Sequence, residues 1–93
     1  MNNNYKKGRH NEYRTMRLLE ASGYVCLRSA GSHSPFDVVA INAVGILLVQ
    51  VKTNEWPSPA ELETISLVPV PQNASKLVHR WNNRVTMPLV KEV

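Results

Sequence analysis

The sequence lacks the features that mark secreted and membrane proteins. Its 93 residues include one cysteine, Cys26, so a disulfide within the chain is impossible and a reducing cytoplasm suits it. Its longest uncharged apolar run, residues 38–49, is too short to span a bilayer. The polar start of the chain has no apolar stretch behind it of the kind that a secretory signal needs. We therefore expect a cytoplasmic protein with no membrane partner.

What is present fits one small domain. An apolar content of 43% excludes a disordered chain, and 93 residues leave no room for a second domain. Residues 1–93 are expected to form a single domain, with residues 1–7 as a flexible basic arm. Because so short a chain is only marginally stable, association into a homodimer would stabilise it.

Charge is distributed unevenly along the chain, which carries a net charge of +4. Residues 1–28 hold six basic and two acidic side chains, and residues 76–93 hold four basic and one acidic. Between them, residues 29–75 hold four acidic side chains and one basic one, Lys52. Two basic ends around an acidic middle suit a polyanion held over a metal site. The ordinary solvated surface of a basic protein explains the same pattern equally well.

The first predicted element is a helix over residues 9–22, ended by Gly23. Tyr13, Met16 and Leu19 recur at helical spacing, and Glu12 shares the face that should pack against a sheet. An acid on an apolar face needs a reason. Either it belongs to a site, or it favours the first turn through the helix dipole while leaning towards solvent.

The rest of the chain predicts strands around one short helix. Residues 24–28, 36–41 and 46–52 are rich in β-branched side chains, with a turn at residues 42–45. Ser58 and Pro59 can start a helix over residues 60–67. Residues 76–81 fit a helix or a strand, and we favour a strand that forms a terminal hairpin with residues 88–93.

Three polar side chains interrupt the apolar strands at Asp37, Gln50 and Lys52. Burying such groups without partners costs roughly 1–3 kcal/mol each, so a functional site is the simplest reason for them. If Ile41 pairs with Ile46, Asp37 lies opposite Gln50, and Lys52 lies two residues further on the same face. The register therefore predicts that these three side chains cluster at the open end of a hairpin.

This cluster has the chemistry of phosphodiester hydrolysis. Carboxylate oxygens bind Mg²⁺ or Mn²⁺, and such a metal retains waters that can attack phosphorus. A nearby lysine can orient the water or hold the phosphate. Asp37 and Glu12 could supply carboxylates, whereas Gln50 can supply only a neutral carbonyl oxygen.

The pattern of Glu12 on a helix, then Asp37, then Gln50-Val51-Lys52 resembles the PD-(D/E)XK nuclease superfamily. Within it, the chain is most similar to the small archaeal and phage Holliday junction resolvases, over residues 7–53. The resemblance implies an α/β, restriction-endonuclease-like core, with a mixed central sheet, an N-terminal helix and the order α-β-β-β-α-β. It also implies Mg²⁺-dependent endonuclease activity, with Mn²⁺ as a possible substitute. The implied partners are branched DNA, specifically a four-way junction, and a second copy of the chain.

The resemblance also implies roles for individual residues. Asp37 would be the central metal ligand, with Glu12, Gln50 and the Val51 backbone carbonyl around the same ion. Lys52 would be the catalytic lysine, and Ser32 would lie near the phosphate. The residues implied to contact DNA are Lys6, Lys7, Arg9, His10, Arg14, Ser32 and His33.

Gln50 departs from the family pattern, where a second acid is usual, and its neutral amide should weaken metal binding. A catalytically weak or inactive DNA-binding module of the same fold therefore remains an alternative, as does a nuclease for other DNA or RNA structures. A purely structural alternative is an ion pair between Asp37 and Lys52 that closes the hairpin, with Gln50 as its hydrogen-bond partner.

Overall fold

A computed structural model describes residues 3–29 and 34–93, and the side chains from residue 6 onwards within the first helix. The elements, in chain order, are α1 (Asn3–Ala21), β1 (Val25–Arg28), β2 (Val38–Ile41), β3 (Ile46–Thr53), α2 (Pro59–Leu67), β4 (Ala74–Trp81) and β5 (Leu89–Glu92). The strands form one five-stranded sheet of order β1-β2-β3-β4-β5. β3 and β4 are parallel, and the other neighbouring strands are antiparallel, so the sheet is mixed.

Helix α1 begins at Asn3 rather than at the predicted residue 9, so it includes residues 3–7, which we expected to form the arm. These first turns are polar and contain Gly8, so hydrophobic periodicity does not reveal them. Lys7 donates a hydrogen bond to the Asn83 side chain at 3.2 Å, which ties this end of the helix to the turn after β4. Tyr13 is 42% exposed and does not belong to the packed face, whereas Leu19 is buried.

Helix α2 starts as predicted. The Ser58 hydroxyl accepts a hydrogen bond from the Glu61 amide, and the Glu61 carboxylate accepts one from the Ser58 amide. This reciprocal capping box satisfies two amides that the first helical turn leaves without partners. Pro59 occupies the first turn, where its missing N–H is harmless.

The ambiguous segment at residues 76–81 is a strand, and β4 and β5 form the terminal antiparallel hairpin that we favoured. The implied order α-β-β-β-α-β is therefore one strand short of the observed order. None of the described helices is long and apolar enough to cross a membrane.

The sheet has one apolar cluster on each face. Helix α1 packs through Leu19 against Val38, Ala40 and Val49, with Val51 beside them. On the other face, α2 packs through Ile65 against Phe36 and Val78, with Leu48 and Trp56 around them. Since strand side chains alternate between faces, Val49 and Val51 lie towards α1, and Gln50 and Lys52 lie with Leu48 towards α2.

Candidate active site

The predicted hairpin register is confirmed, but it ends one residue short of the site. Ile41 pairs with Ile46, and the ladder continues to Val38 and Val49. Asp37 leaves the ladder: its amide donates to the Val49 carbonyl oxygen at 2.8 Å. Its carboxylate Oδ2 accepts a hydrogen bond from the Val51 amide at 2.8 Å. Asp37 therefore lies beside Val51 of β3, whereas the register alone would have placed it opposite Gln50.

Gln50 holds a buried oxygen that nothing in the described structure satisfies. Within residues 3–29 and 34–93, its Oε1 is the buried side-chain oxygen without a hydrogen-bond partner. An amide oxygen taken from water without a replacement partner costs roughly 1–3 kcal/mol, so the arrangement is unfavourable unless something binds there. An unsatisfied acceptor of this kind suits a cation or a hydrogen-bond donor of a ligand.

Glu12 approaches from α1 and is already paired. Its Oε1 accepts a hydrogen bond from Arg28 Nη1 at 2.9 Å, and both side chains are about four-fifths buried. The Arg28 guanidinium also lies 5.0 Å from the centre of the Tyr13 ring. Glu12 thus packs towards the sheet as predicted, but its partner is an arginine at the end of β1.

The Asp37 carboxyl is held in surroundings that disfavour its charge. Burial raises its pKa above the ordinary value, and the nearby Glu12 carboxylate raises it further. The Val51 hydrogen bond, Lys52 and Arg28 act in the opposite direction, but the net pKa is raised. Glu12 acts on this carboxyl from the α1 face of the sheet, and Lys52 acts on it from the α2 face. Asp37 therefore lies between these two charged side chains.

Lys52 is 22% exposed and turns towards the start of α2. Its Nζ lies 3.7 Å from Glu61 Oε2 and 3.9 Å from Glu55 Oε1. A cavity of about 310 Å³ opens beside it, lined by Lys7 and by Val51, Lys52, Thr53, Asn54 and Glu55. A phosphate group entering this cavity would meet the Lys52 and Lys7 side chains.

The end of β3 that carries Lys52 is anchored to its neighbours. The Asn54 amide donates to the Trp81 carbonyl oxygen at 3.0 Å, and the Asn54 side chain accepts from the Asn83 amide at 2.9 Å. The Asn54 backbone adopts a positive φ of 63°, a left-handed conformation that asparagine tolerates better than most residues. On the α1 side, Asn11 donates to the Thr53 hydroxyl at 2.8 Å.

The residues implied to contact DNA do not share one environment. Lys6, Lys7, Arg9 and His10 are exposed on α1. Arg14 is instead partly buried: its guanidinium lies 4.1 Å from the centre of the Trp81 ring and donates to the Val85 carbonyl oxygen. Ser32 and His33 fall outside the described residues.

Three charged contacts of the site were not predicted from the sequence, namely those of Arg28 with Glu12 and of Glu55 and Glu61 with Lys52. Glu61 carried a local signal as the third residue of the capping box, but its approach to Lys52 depends on how α2 packs. Arg28 ends a strand with no special pattern around it. Nothing in the sequence alone marked either pairing.

The described residues contain no group of three or more histidine, cysteine, aspartate or glutamate side chains placed to hold a metal ion. The oxygen-bearing side chains predicted for the site are two carboxylates, Asp37 and Glu12, and one amide, Gln50. With glutamine at position 50, this set has one carboxylate fewer than an acid at that position would give.

The mixed sheet with α1 on one face and α2 on the other is the restriction-endonuclease-like α/β fold, as predicted. The chain is similar to the solved structure of Hjc from Archaeoglobus fulgidus, a Holliday junction resolvase from an archaeal hyperthermophile. The TM-score is 0.68 and the sequence identity is 26%, over 85% of this chain and 67% of that chain. No family model matches the chain. The similarity indicates a resolvase-like nuclease.

Proposed function

We propose that this chain is a metal-dependent, structure-selective endonuclease that nicks four-way DNA junctions by phosphodiester hydrolysis. The observation that carries the proposal is the buried Gln50 oxygen without a partner, on the strand whose next amide binds the Asp37 carboxylate. Similarity to a Holliday junction resolvase supports the same activity. A branched DNA substrate also agrees with the cytoplasmic location predicted from the sequence.

The donors around Asp37 fit a hard divalent cation. Mg²⁺ prefers oxygen ligands, the buried Gln50 oxygen has no partner, and burial raises the pKa of the Asp37 carboxyl, which a nearby cation would lower. We assign Asp37, Glu12, Gln50 and the Val51 carbonyl as the groups that would hold Mg²⁺, with Mn²⁺ as a substitute. When bound, the ion supplies charge neutralisation at the phosphate and a water of lowered pKa.

Lys52 acts on the phosphate from the α2 face. Its ammonium group offers three donors and a full positive charge, which stabilise the negative charge that grows on the phosphate oxygens. Lys7 lines the same cavity and extends the positive surface along α1, with Lys6, Arg9 and His10 as further backbone contacts. Arg14 is better assigned to packing, because its guanidinium is engaged with Trp81 and Val85.

A homodimer suits the proposed substrate, because a four-way junction presents two equivalent strands and one chain carries one site. We infer that apolar residues of the Pro-rich middle and the second half of the chain form the contact. Several of them are more than one-third exposed: Leu67, Met87, Leu89 and Val90. The dimer remains a prediction, and sedimentation of the purified chain measures it.

The proposal is tested by cleavage of a four-way junction, a linear duplex and an RNA hairpin at one salt concentration with Mg²⁺. A common salt concentration is necessary because basic proteins bind all nucleic acids when salt is low. We expect preferential junction cleavage that Lys52→Ala reduces by at least about 100-fold. Lys91→Ala, an exposed lysine on β5, is the matched control. Equal cleavage by Lys52→Ala and wild type would show that the proposed site is wrong.

A DNA-binding module without cleavage is the second candidate. It is favoured by two observations: Gln50 gives the site one charge fewer than a second acid would, and Glu12 is occupied by Arg28. Junction binding by the wild type with no cleavage in either Mg²⁺ or Mn²⁺ would select this candidate.

A further inference from the structure

The Glu61 side chain belongs to two interactions at once. Its Oε1 accepts a hydrogen bond from the Ser58 amide at 3.1 Å, within the capping box of α2. Its Oε2 lies 3.7 Å from Lys52 Nζ. One carboxylate therefore connects the first turn of α2 with the lysine at the end of β3.

We propose that Glu61 is a positioning residue, which holds the Lys52 ammonium group at the mouth of the cavity for contact with the scissile phosphate. The inference rests on the proposed nuclease function for its consequence in cleavage. Its structural part, that Glu61 restrains Lys52, can be measured without any cleavage.

The capping box makes Glu61 a better restraint than an ordinary surface acid. A free glutamate loses side-chain entropy when it forms an ion pair, which is why exposed pairs stabilise proteins little. The Ser58 amide has already fixed the Glu61 carboxylate, so that entropy is lost whether or not Lys52 is near. Glu55 lies slightly farther from Lys52, at 3.9 Å, and its side chain is 74% exposed, compared with 46% for Glu61.

The distance also suits positioning better than blocking. At 3.7 Å the Glu61 carboxylate attracts the ammonium group but is beyond ordinary hydrogen-bond length. The ammonium donors therefore stay available to phosphate oxygens. The Ser58 amide and Lys52 both lower the pKa of the Glu61 carboxyl, so the carboxylate persists at neutral pH.

The test compares Glu61→Gln with Glu63→Gln in the full chain. Glutamine at position 61 keeps the capping box, because either Glu or Gln serves at the third helical position, but it removes the charge near Lys52. Glu63 is an exposed acid on the same helix. The measurements are steady-state cleavage of a four-way junction with Mg²⁺, the melting temperature, and the rate of Lys52 acetylation read by peptide mass spectrometry.

We expect Glu61→Gln to lower kcat by about tenfold with KM and melting temperature nearly unchanged, because a misplaced catalytic group costs rate rather than binding. Lys52 should be acetylated roughly two- to fivefold faster than in wild type, a change of the size expected for losing an exposed ion pair. Glu63→Gln should match wild type in all three measurements.

Two results would overturn the inference: equal Lys52 acetylation in both variants and wild type, or a Glu61→Gln enzyme with lower KM and undiminished kcat. The second would mean that Glu61 competes with phosphate for Lys52. If the wild type does not cleave any junction, the proposed function fails, and the acetylation rates still decide whether Glu61 restrains Lys52.

Discussion

At the scale of single residues, the site is a set of charges that the fold brings together at a cost. The Asp37 carboxyl is partly buried near Glu12, and its charged form is disfavoured. Gln50 carries a buried oxygen with no partner. Function commonly explains such local losses of stability, because a site prepared for a ligand is unfavourable without it.

Asp37→Asn should separate stability from function. We expect it to raise the free energy of unfolding by about 0.5–1 kcal/mol, or roughly 2–8 °C in a domain of this size, because it removes a poorly solvated charge. Cleavage should be lost, since the amide is a poor substitute for a metal-binding carboxylate. Thermal melting and junction cleavage measure the two effects, with Glu63→Gln as control. A lower melting temperature together with full cleavage would contradict both assignments.

The pH dependence of stability gives an independent check on Asp37. Its pKa in the folded chain lies above the ordinary value of 3.8, so the folded state keeps this proton to higher pH than the unfolded state does. The contribution of Asp37 to stability must therefore fall as pH rises from about 3.8 through the folded pKa, and then level off. We expect the advantage of Asp37→Asn over wild type in melting temperature to grow across that window. If the advantage of Asp37→Asn in melting temperature shrinks with rising pH, the pKa of Asp37 in the folded chain is not raised.

The sequence predicted which residues belong to the candidate site better than it predicted their contacts. Asp37, Gln50 and Lys52 stood out because polar side chains are rare in apolar strands, and the structure places all three at one end of the sheet. The pairing of Arg28 with Glu12 could not be predicted, because it depends on how α1 crosses β1. The departure of Asp37 from the hairpin ladder could not be predicted either, because register arithmetic assumes a regular strand.

At the scale of elements, strand β3 is the element that carries most of the candidate site. It pairs with β2 on one side and β4 on the other, and its last residues carry Gln50 and Lys52. The residue just before β3, Gly45, lies close to another backbone: a Cβ on Gly45 would lie 2.3 Å from the Asn73 carbonyl oxygen. We therefore expect the position of the end that carries Lys52 to depend on this contact at the other end of the strand.

Gly45→Ala should accordingly destabilise the chain, because a backbone oxygen cannot move aside as a flexible side chain can. We expect a loss of about 1–3 kcal/mol in the free energy of unfolding. The control is Gly8→Ala in α1, where a Cβ would meet nothing within 4 Å. That change should stabilise the chain by about 0.5–1 kcal/mol, since alanine favours a helix interior. Urea unfolding measures both, and equal effects of the same sign would refute the argument.

Helix α1 is joined to β4 by a buried polar cluster that sequence patterns did not indicate. The Trp81 indole donates to the Thr15 hydroxyl at 2.8 Å, and this hydroxyl lies 3.2 Å from His79 Nδ1. Since the hydroxyl accepts from the indole, its own hydrogen is free to bond to Nδ1 of a neutral imidazole. Burial lowers the His79 pKa to about 4.

This histidine should make the chain sensitive to acid. The unfolded histidine ionises near pH 6.5 and the folded one only near 4, so stability must be lost as pH falls through that interval. We expect His79→Gln to flatten the dependence of melting temperature on pH between these values, whereas the exposed His10→Gln keeps the wild-type slope. An unchanged slope in His79→Gln would show that the imidazole is not buried in its neutral form.

At the scale of the whole molecule, residues of the candidate site come from both faces of the sheet. Helix α1 brings Glu12 and the exposed cations of its first turns to one face, and α2 brings Glu61 to the other. Asp37 lies beside Val51 of β3, and its carboxyl interacts with Glu12 and with Lys52. The sequence predicted the sheet, both helices and the confirmed register, because these depend on local patterns. It did not predict which face each charge would occupy, because that depends on packing between distant segments.

The central claim is that Asp37, Gln50 and their neighbours hold a divalent metal that cleavage requires. The most direct measurement is the rate of four-way junction cleavage against Mg²⁺ concentration, for wild type beside Gln50→Glu. We predict no cleavage in a chelator, and half-maximal cleavage by Gln50→Glu at a Mg²⁺ concentration about tenfold lower than for wild type, because the change restores a negative ligand. Cleavage that persists in the chelator, or identical metal dependence in both proteins, would contradict the account.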